Sequence, residues 1–131
     1  YMPELLGYDD HTIVQHIDIL PKVLGLLGYD RPYIAFGQDI FHTPAEEKFA
    51  LHWLYGINCY EYIKGNRATL YDGENCLSVY DYVNDIIGQT NQMGQVPADT
   101  LATDIRFVQS FVQQYMQRMK QNDMKIKDKQ L

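Results

Sequence analysis

Residues 49–83 read FALHWLYGINCYEYIKGNRATLYDGENCLSVYDYV and decide the fold. Aromatic and aliphatic residues alternate with polar ones over four short runs, a pattern typical of strands with one buried face. The predicted strands cover residues 49–54, 57–64, 67–71 and 76–83. The pairs between them favour tight turns: Tyr55-Gly56, Gly65-Asn66 and Asp72-Gly73. Turns this short join antiparallel neighbours, so the strands should form a meander.

A long helix is predicted after the sheet, over residues 97–121, with Pro97 at its start. Its apolar residues recur at alternating intervals of four and three: Leu101, Ile105, Val108, Val112, Tyr115 and Met119. This spacing puts them on one face of the helix. We expect that face to pack on one side of the sheet, with residues 84–96 as a polar linker.

A short helix is predicted near the N-terminus, over residues 19–27. Asp18 stands at the N-cap position, Pro21 lies in the first turn, and Gly28 suits a left-handed C-cap. The apolar stripe of Leu20, Val23, Leu24 and Leu27 predicts that the helix is buried. Residues 29–48 should be a loop with a helical turn near Pro44. The expected fold is therefore α+β: a short N-terminal helix, a four-stranded antiparallel meander, and a long C-terminal helix packed on one sheet face.

The predicted sheet has aliphatic and tyrosine-rich faces. Ile63 and Cys59 share one side of the second strand, and Val79 lies on the aliphatic side of the fourth. These aliphatic faces are predicted to be the core. The tyrosines are amphipathic and form a possible interface or ligand face, which could stack on sugar rings. They are Tyr60, Tyr62, Tyr80 and Tyr82.

Composition limits the classes of function. A chain of 131 residues with 46% hydrophobic residues can form one domain with a core. Its net charge of -6 argues against a nucleic-acid partner. From Arg118 onward there are five basic and two acidic residues, which suits a solvated helix end or contact with an anionic surface. Cys59 and Cys76 could pair, or could be small buried residues.

The sequence contains no complete catalytic centre. His11 and His16 lie near Asp18 and the pair Asp9-Asp10, but their spacing fits no standard zinc pattern. There is no Gly-x-Ser-x-Gly elbow and no phosphate-binding Gly-x-Gly-x-x-Gly loop. We therefore assign no catalytic, cofactor-binding or metal-binding residue to this chain.

Two segments resemble a known family. Residues 14–28 with residues 36–41 are similar to a sulfatase segment in which an Asp-x-x-Pro helix ends in Leu-Gly before a Gly-x-Asp-Leu loop. Residues 79–85, followed by Gln89, Asn91 and Met93, resemble a stretch near the C-terminus of sulfatases, although the family's Pro and Glu are absent. Over residues 8–119 the chain looks most like the lipoteichoic acid synthase-like phosphoglycerol transferases of bacteria, of the Bacteroides type.

The resemblance implies a larger parent enzyme. Family members use a Thr, Ser or formylglycine-forming Cys nucleophile that lies beside a divalent metal ion. The parent would therefore hold Mn, Mg, Zn or Ca. The family's Asp-His-Gly element is missing, since Asp10-His11 is followed by Thr12. The chain would then be a single C-terminal subdomain, residues 1–131, and not an enzyme alone. Residues 1–48 would join the missing catalytic domain, followed by the sheet at 49–83 and the helix at 97–121.

The family also implies a cellular setting. The parent would be membrane-anchored and would work on the extracytoplasmic side of a bacterial cytoplasmic membrane. This chain would meet the membrane only through the parent, and its partner would be the catalytic domain of the same polypeptide. The alternative hypothesis is a free-standing module that binds glycan or cell-wall polymer through its sheet tyrosines. A third is a purely structural interaction domain, which a large exposed apolar patch would favour.

Overall fold

The computed structural model describes residues 11–126 and confirms the α+β fold. The helices are α1 (Ile19–Leu26) and α2 (Ala98–Gln121), and the strands are β1 (Phe49–Leu54), β2 (Cys59–Lys64), β3 (Arg67–Tyr71) and β4 (Cys76–Asp81). Short 3-10 turns cover His16–Asp18, Ala45–Glu47 and Met93–Gln95. The predictions for residues 1–10 and 127–131, including Asp9, Asp10, Lys127 and Lys129, lie outside the described residues.

The four strands form one antiparallel meander in the order β1-β2-β3-β4. Two predicted boundaries were wrong. β2 begins at Cys59 because residues 55–58 form the turn, where the Asn58 N–H donates to the Leu54 carbonyl over 2.8 Å. β4 ends at Asp81 because the carboxylate of that residue accepts the Val83 and Asn84 N–H groups, at 3.1 and 2.9 Å, and turns the chain.

Helix α2 packs on the aromatic face of the sheet. Val108 of the helix is buried with Phe49, Tyr62 and Tyr71 of the strands. The prediction that the aliphatic faces form the main core was therefore wrong for β2, but it holds for β4, where the buried Val79 lies opposite Thr69 on the same face as Tyr62. The reason lies in rings that the apolar spacing did not include: Phe107 of the helix sits 4.8 Å from Phe49 and 5.0 Å from Tyr62, centroid to centroid. Aromatic pairs at this spacing fill the gap between a helix and a sheet.

Polar contacts fix α2 to β3. The buried Asp104 carboxylate lies 2.7 Å from Nη2 of Arg67, and the Thr69 hydroxyl donates to it over 3.4 Å. Farther along, the Gln109 amide donates to the Tyr71 hydroxyl over 2.7 Å. Buried polar groups need such partners, so these contacts hold the helix in one register on the sheet.

The other face of the sheet is covered by a thin layer. Its buried residues Ala50, Ile63 and Ala68 are small or aliphatic, and Ile13 from the N-terminal segment packs on them. Among the described residues, the N-terminal segment therefore packs on this face through Ile13.

Side chains cover both edges of the sheet. The Gln15 amide accepts the Leu51 N–H and donates to the Phe49 carbonyl, at 3.0 and 3.3 Å. The Gln38 amide accepts the Phe49 N–H and donates to the Glu47 carbonyl, at 3.2 and 2.9 Å. On the β4 edge, Asn91 Oδ1 accepts the Val79 N–H over 3.1 Å. Open strand edges invite pairing with other chains, and these contacts occupy much of both edges.

Candidate docking surface

Helix α1 is held by the loop that follows it. Asp18 stands at the N-cap position, but its buried carboxylate does not cap α1. Instead it accepts the N–H groups of Gln15 and Gln38, at 2.9 and 2.8 Å. Gly28 at the other end takes φ 63°, as predicted for a C-cap. The buried carboxylate therefore ties residues on both sides of α1 to its first turn.

Two glycines let the loop approach α1 closely. A side chain at residue 37 would overlap the backbone carbonyl of Ile17, and one at residue 25 would overlap the Asp39 carboxylate. Residues 14–28 and 36–41 thus pack against each other. The contact with the Ile17 backbone explains why glycine occupies position 37, whereas the Asp39 carboxylate beside residue 25 is the end of a side chain that can turn away.

The apolar stripe of α1 faces outward, so the prediction of a buried helix was wrong. Ile19 is 58% exposed, Leu20 52% and Val23 43%. Pro21 alone in α1 is buried. The stripe was correctly placed on one face, but no described strand covers it. An uncovered apolar helix face is typical of a surface that meets another protein body.

The exposed stripe belongs to a wider apolar surface, which we call the α1 surface. A cavity of about 480 Å³ runs between α1, the loop and the end of α2. It is lined by His16, Ile17, Ile19, Leu20, Val23, Ile34, Ala35, Phe36, Tyr115 and Met124. The lining is almost wholly apolar, so the α1 surface favours contact with apolar side chains over binding of a polar substrate.

A second cavity, the aromatic groove, adjoins the first. Its volume is about 580 Å³, and it shares Ile17, Phe36 and Tyr115 with the α1 surface. The remaining lining residues are Leu51, His52, Trp53, Tyr55, Tyr60, Phe111, Val112 and Met116. The two cavities therefore make one continuous apolar region along the side of the molecule.

The four predicted interface tyrosines do not form one platform. Tyr62 is buried beneath α2, and Tyr60, on the same face, reaches only the aromatic groove. Tyr80 lies opposite Ala68 in the register and therefore on the other face, against Gly88. Tyr82 follows β4 and borders Ile13 on that second face. Trp53, 4.6 Å from the Tyr60 ring, is an aromatic residue that the predicted set omitted.

Titratable side chains form pairs and not a catalytic cluster. His42 Nδ1 lies 2.7 Å from Asp39, and His52 Nε2 lies 2.7 Å from Glu61. Burial would raise the pKa of Asp39, but its hydrogen bonds with His42 and the Phe41 backbone outweigh burial and lower it. Both histidines are exposed. Within residues 11–126 no three His, Cys, Asp or Glu side chains come together as a metal site.

Both cysteines are free thiols. Cys59 is buried and Cys76 half-buried, so the question of a disulfide, left open by the sequence, is answered in favour of separate residues. Burial raises the pKa of each thiol. A raised pKa lowers the thiolate fraction at neutral pH, which makes neither residue a ready nucleophile.

Residues 79–93 form a closed turn beside β4. Asn91 Oδ1 accepts the N–H groups of Val79 and Met93, and the Gln92 N–H donates to the Val79 carbonyl over 2.7 Å. Asp85 accepts the Gln89 and Thr90 N–H groups. These contacts give Asp85 and Asn91 a structural role in turning the chain.

Comparison with protein families, with curated proteins and with solved structures finds no match for this chain. In residues 11–126, none of the helices has the length and apolar character needed to cross a membrane.

Sequence reasoning missed part of this surface. It found the stripe of α1 but assumed that it was buried, and it predicted residues 29–48 as a loop with a helical turn near Pro44, where the turn Ala45–Glu47 is indeed present. The alternation of Ile34 and Phe36 in that loop was the available signal for a second apolar wall.

Proposed function

We propose that this chain is a non-catalytic supporting subdomain that docks through its α1 surface on the catalytic core of a larger polypeptide. The exposed stripe of α1 carries the proposal. A helix with its apolar residues half exposed is costly in water, at roughly 25 cal/mol per Å² of apolar area. Covering it against a second body removes that cost.

The resemblance to sulfatase-like proteins suggests what the second body is. The parent would be a metal-dependent phosphoglycerol transferase or a sulfuric or phosphoric ester hydrolase, with Mn, Mg, Zn or Ca in its core. The first sulfatase-like segment contains α1, and its two parts pack tightly around Gly25 and Gly37. The resemblance and the exposed surface thus fall on the same residues, which supports docking of this element on the core.

The chemistry of such an enzyme would come from the core. In-line transfer at phosphorus or sulfur needs an activated nucleophile and a cation near the developing oxyanion. At the surface, His42 pairs with Asp39 and His52 with Glu61, and the Asp18 carboxylate accepts two backbone N–H groups. We therefore expect the 131-residue chain to show no phosphodiesterase or sulfatase turnover with any of the four metals.

The test is the double substitution Leu20→Gln with Val23→Gln. In the 131-residue chain it should reduce binding of a hydrophobic dye and leave the unfolding temperature nearly unchanged, because both side chains are exposed. In the longer polypeptide it should destabilise the assembled enzyme, seen as lower thermal stability and lower activity, because a covered apolar contact is lost.

The matched control is Ile86→Gln with Ile87→Gln. These residues are 85% and 76% exposed and lie in the turn after β4, away from α1. The control should not affect the longer polypeptide. Equal effects of the two double variants there would contradict docking through α1. Metal-dependent turnover by the 131-residue chain, lost in Asp18→Asn, would contradict the supporting role.

A further inference from the structure

The end of α2 carries a second surface with a different chemistry. Near the end of α2, Met116 and Met119 are 59% and 53% exposed, and Met116 also lines the aromatic groove. Beyond the helix, Ile126 is exposed as well. We call these three large apolar side chains the terminal surface.

Two exposed lysines lie beside the terminal surface. Lys120 directly follows Met119 at the end of α2, whereas the half-buried Arg118 donates from Nη1 to the Asp123 carbonyl over 3.2 Å. Lys125 precedes Ile126, so basic and apolar residues alternate beyond the helix. Long basic side chains beside an apolar stripe can extend their charges toward anionic groups while the stripe inserts.

The charge of this end is opposite to that of the rest of the chain. No acidic residue occurs between Asp104 and Asp123. From Arg118 onward five basic and two acidic residues give a net charge of +3, and since the whole chain carries -6, the residues before Arg118 carry -9. In the sequence, a cationic end therefore follows an acidic body, and such a charge asymmetry orients a molecule in a negative field.

We infer that the terminal surface binds the surface of an anionic phospholipid bilayer, a direct contact that departs from the expectation that this chain meets a membrane only through a parent. The combination of charge and exposed methionine selects this occupant. An acidic protein would satisfy the lysines but would offer no fluid apolar layer for Met116, Met119 and Ile126, whereas a bilayer interface offers both. The inference does not rest on the proposed docking, because Met119, Ile126 and the two lysines line neither cavity, and Met116 lines only the aromatic groove.

Co-sedimentation with vesicles tests the inference. The 131-residue chain should bind vesicles of phosphatidylcholine with one third phosphatidylglycerol, and should bind pure phosphatidylcholine far more weakly. Lys120→Gln with Lys125→Gln should weaken the partition by about fivefold per lysine, or about 25-fold for the pair. Binding should also fall at 1 M NaCl, where the screening length is only about 3 Å.

The control has the same change of charge at another place. Lys48→Gln with Lys64→Gln removes two positive charges near the sheet and should change the partition less than twofold. Met116→Gln with Met119→Gln keeps every charge and should still weaken binding severalfold, because apolar insertion is lost. Both methionines are exposed, so unchanged thermal unfolding would show that each variant is folded.

Three results would overturn the inference. The first is equal partition of the chain into anionic and neutral vesicles, and the second is an equal loss of vesicle binding for the two lysine pairs. The third is full vesicle binding by the methionine variant, combined with binding of the unchanged chain to polyglutamate that is as strong as its binding to anionic vesicles. The last would show a purely electrostatic site for an acidic polymer. The Leu20→Gln with Val23→Gln variant should bind vesicles normally, which separates this surface from the α1 surface.

Discussion

Tyr62 shows how the packing of α2 sets the chemistry of a single side chain. Its ring is 2% exposed and lies beneath α2. Burial raises the pKa of Tyr62, and the negative charge of Asp104 raises it further. The positive charge of Arg67 acts in the opposite direction but is outweighed, so the pKa is about 12. A hydroxyl that seemed available at an interface is thus a buried neutral group.

The raised pKa predicts a loss of stability at high pH. In the unfolded chain a tyrosine ionises near pH 10, about two units lower. The contribution of Tyr62 is therefore complete below about pH 10 and is lost as the pH rises through about 12, because only the unfolded form gives up its proton in that window. Absorbance of phenolate should show one late step near pH 12, which Tyr62→Phe removes.

The control for this titration is Tyr55→Phe. The Tyr55 ring is 88% exposed, so its replacement should leave the late step in place. Loss of the late step in Tyr55→Phe, or its persistence in Tyr62→Phe, would show that the assignment to Tyr62 is wrong.

The residue scale also shows where sequence reasoning stops. Alternation along β2 placed Tyr60 and Tyr62 on one face correctly, and it separated them from Ile63. Alternation does not tell which face a helix will cover. That choice depends on Phe107 and Phe111, which contact Phe49 from a distance of more than 50 residues in sequence.

At the scale of elements, the two glutamines on the β1 edge stand in for a neighbouring strand. The amides of Gln15 and Gln38 together satisfy backbone groups from Glu47 to Leu51. An amide side chain presents both N–H donors and a carbonyl acceptor, so it can bond a strand edge as a peptide group does. Helices and strands were largely predictable from periodicity, but these contacts were not, because a glutamine in a loop has no distinctive pattern.

Replacement of either glutamine should destabilise the fold. Gln15→Ala and Gln38→Ala each leave a part-buried N–H and a carbonyl without their partners, at a cost of about 1–2 kcal/mol. Urea unfolding measures the loss. Gln113→Ala and Gln114→Ala, at exposed positions of α2, are the controls and should change stability by less than about 0.5 kcal/mol. Equal effects at all four sites would exclude a role in protecting the edge.

At the scale of the whole molecule, apolar residues serve two purposes. Between the sheet and α2 they form a closed core around Val108, which is 1% exposed. Along α1 and at the end of α2 the apolar residues remain exposed. We propose that a catalytic core covers α1 and that a bilayer surface covers the end of α2. The sequence predicted the stripes of both helices equally well. Periodicity identifies an apolar face, but only the tertiary arrangement shows whether this chain covers it.

Because some apolar surfaces are buried and others exposed, the same valine-to-alanine substitution should reduce the free energy of unfolding by different amounts at two positions. Val108→Ala removes buried methyl groups from the core and should lower the free energy of unfolding by about 2 kcal/mol, from lost transfer energy and the cavity left behind. Val23→Ala makes the same change in another helix, at a side chain that is 43% exposed, and should cost less than about 0.5 kcal/mol in the 131-residue chain. Chemical denaturation of both variants gives the comparison.

In a longer polypeptide whose core covers α1, the cost of Val23→Ala should rise toward that of Val108→Ala, because the same methyl groups would then be buried. A cost for Val23→Ala that is already large in the 131-residue chain would mean that the chain itself buries α1, and would contradict both the open surface and the docking that rests on it.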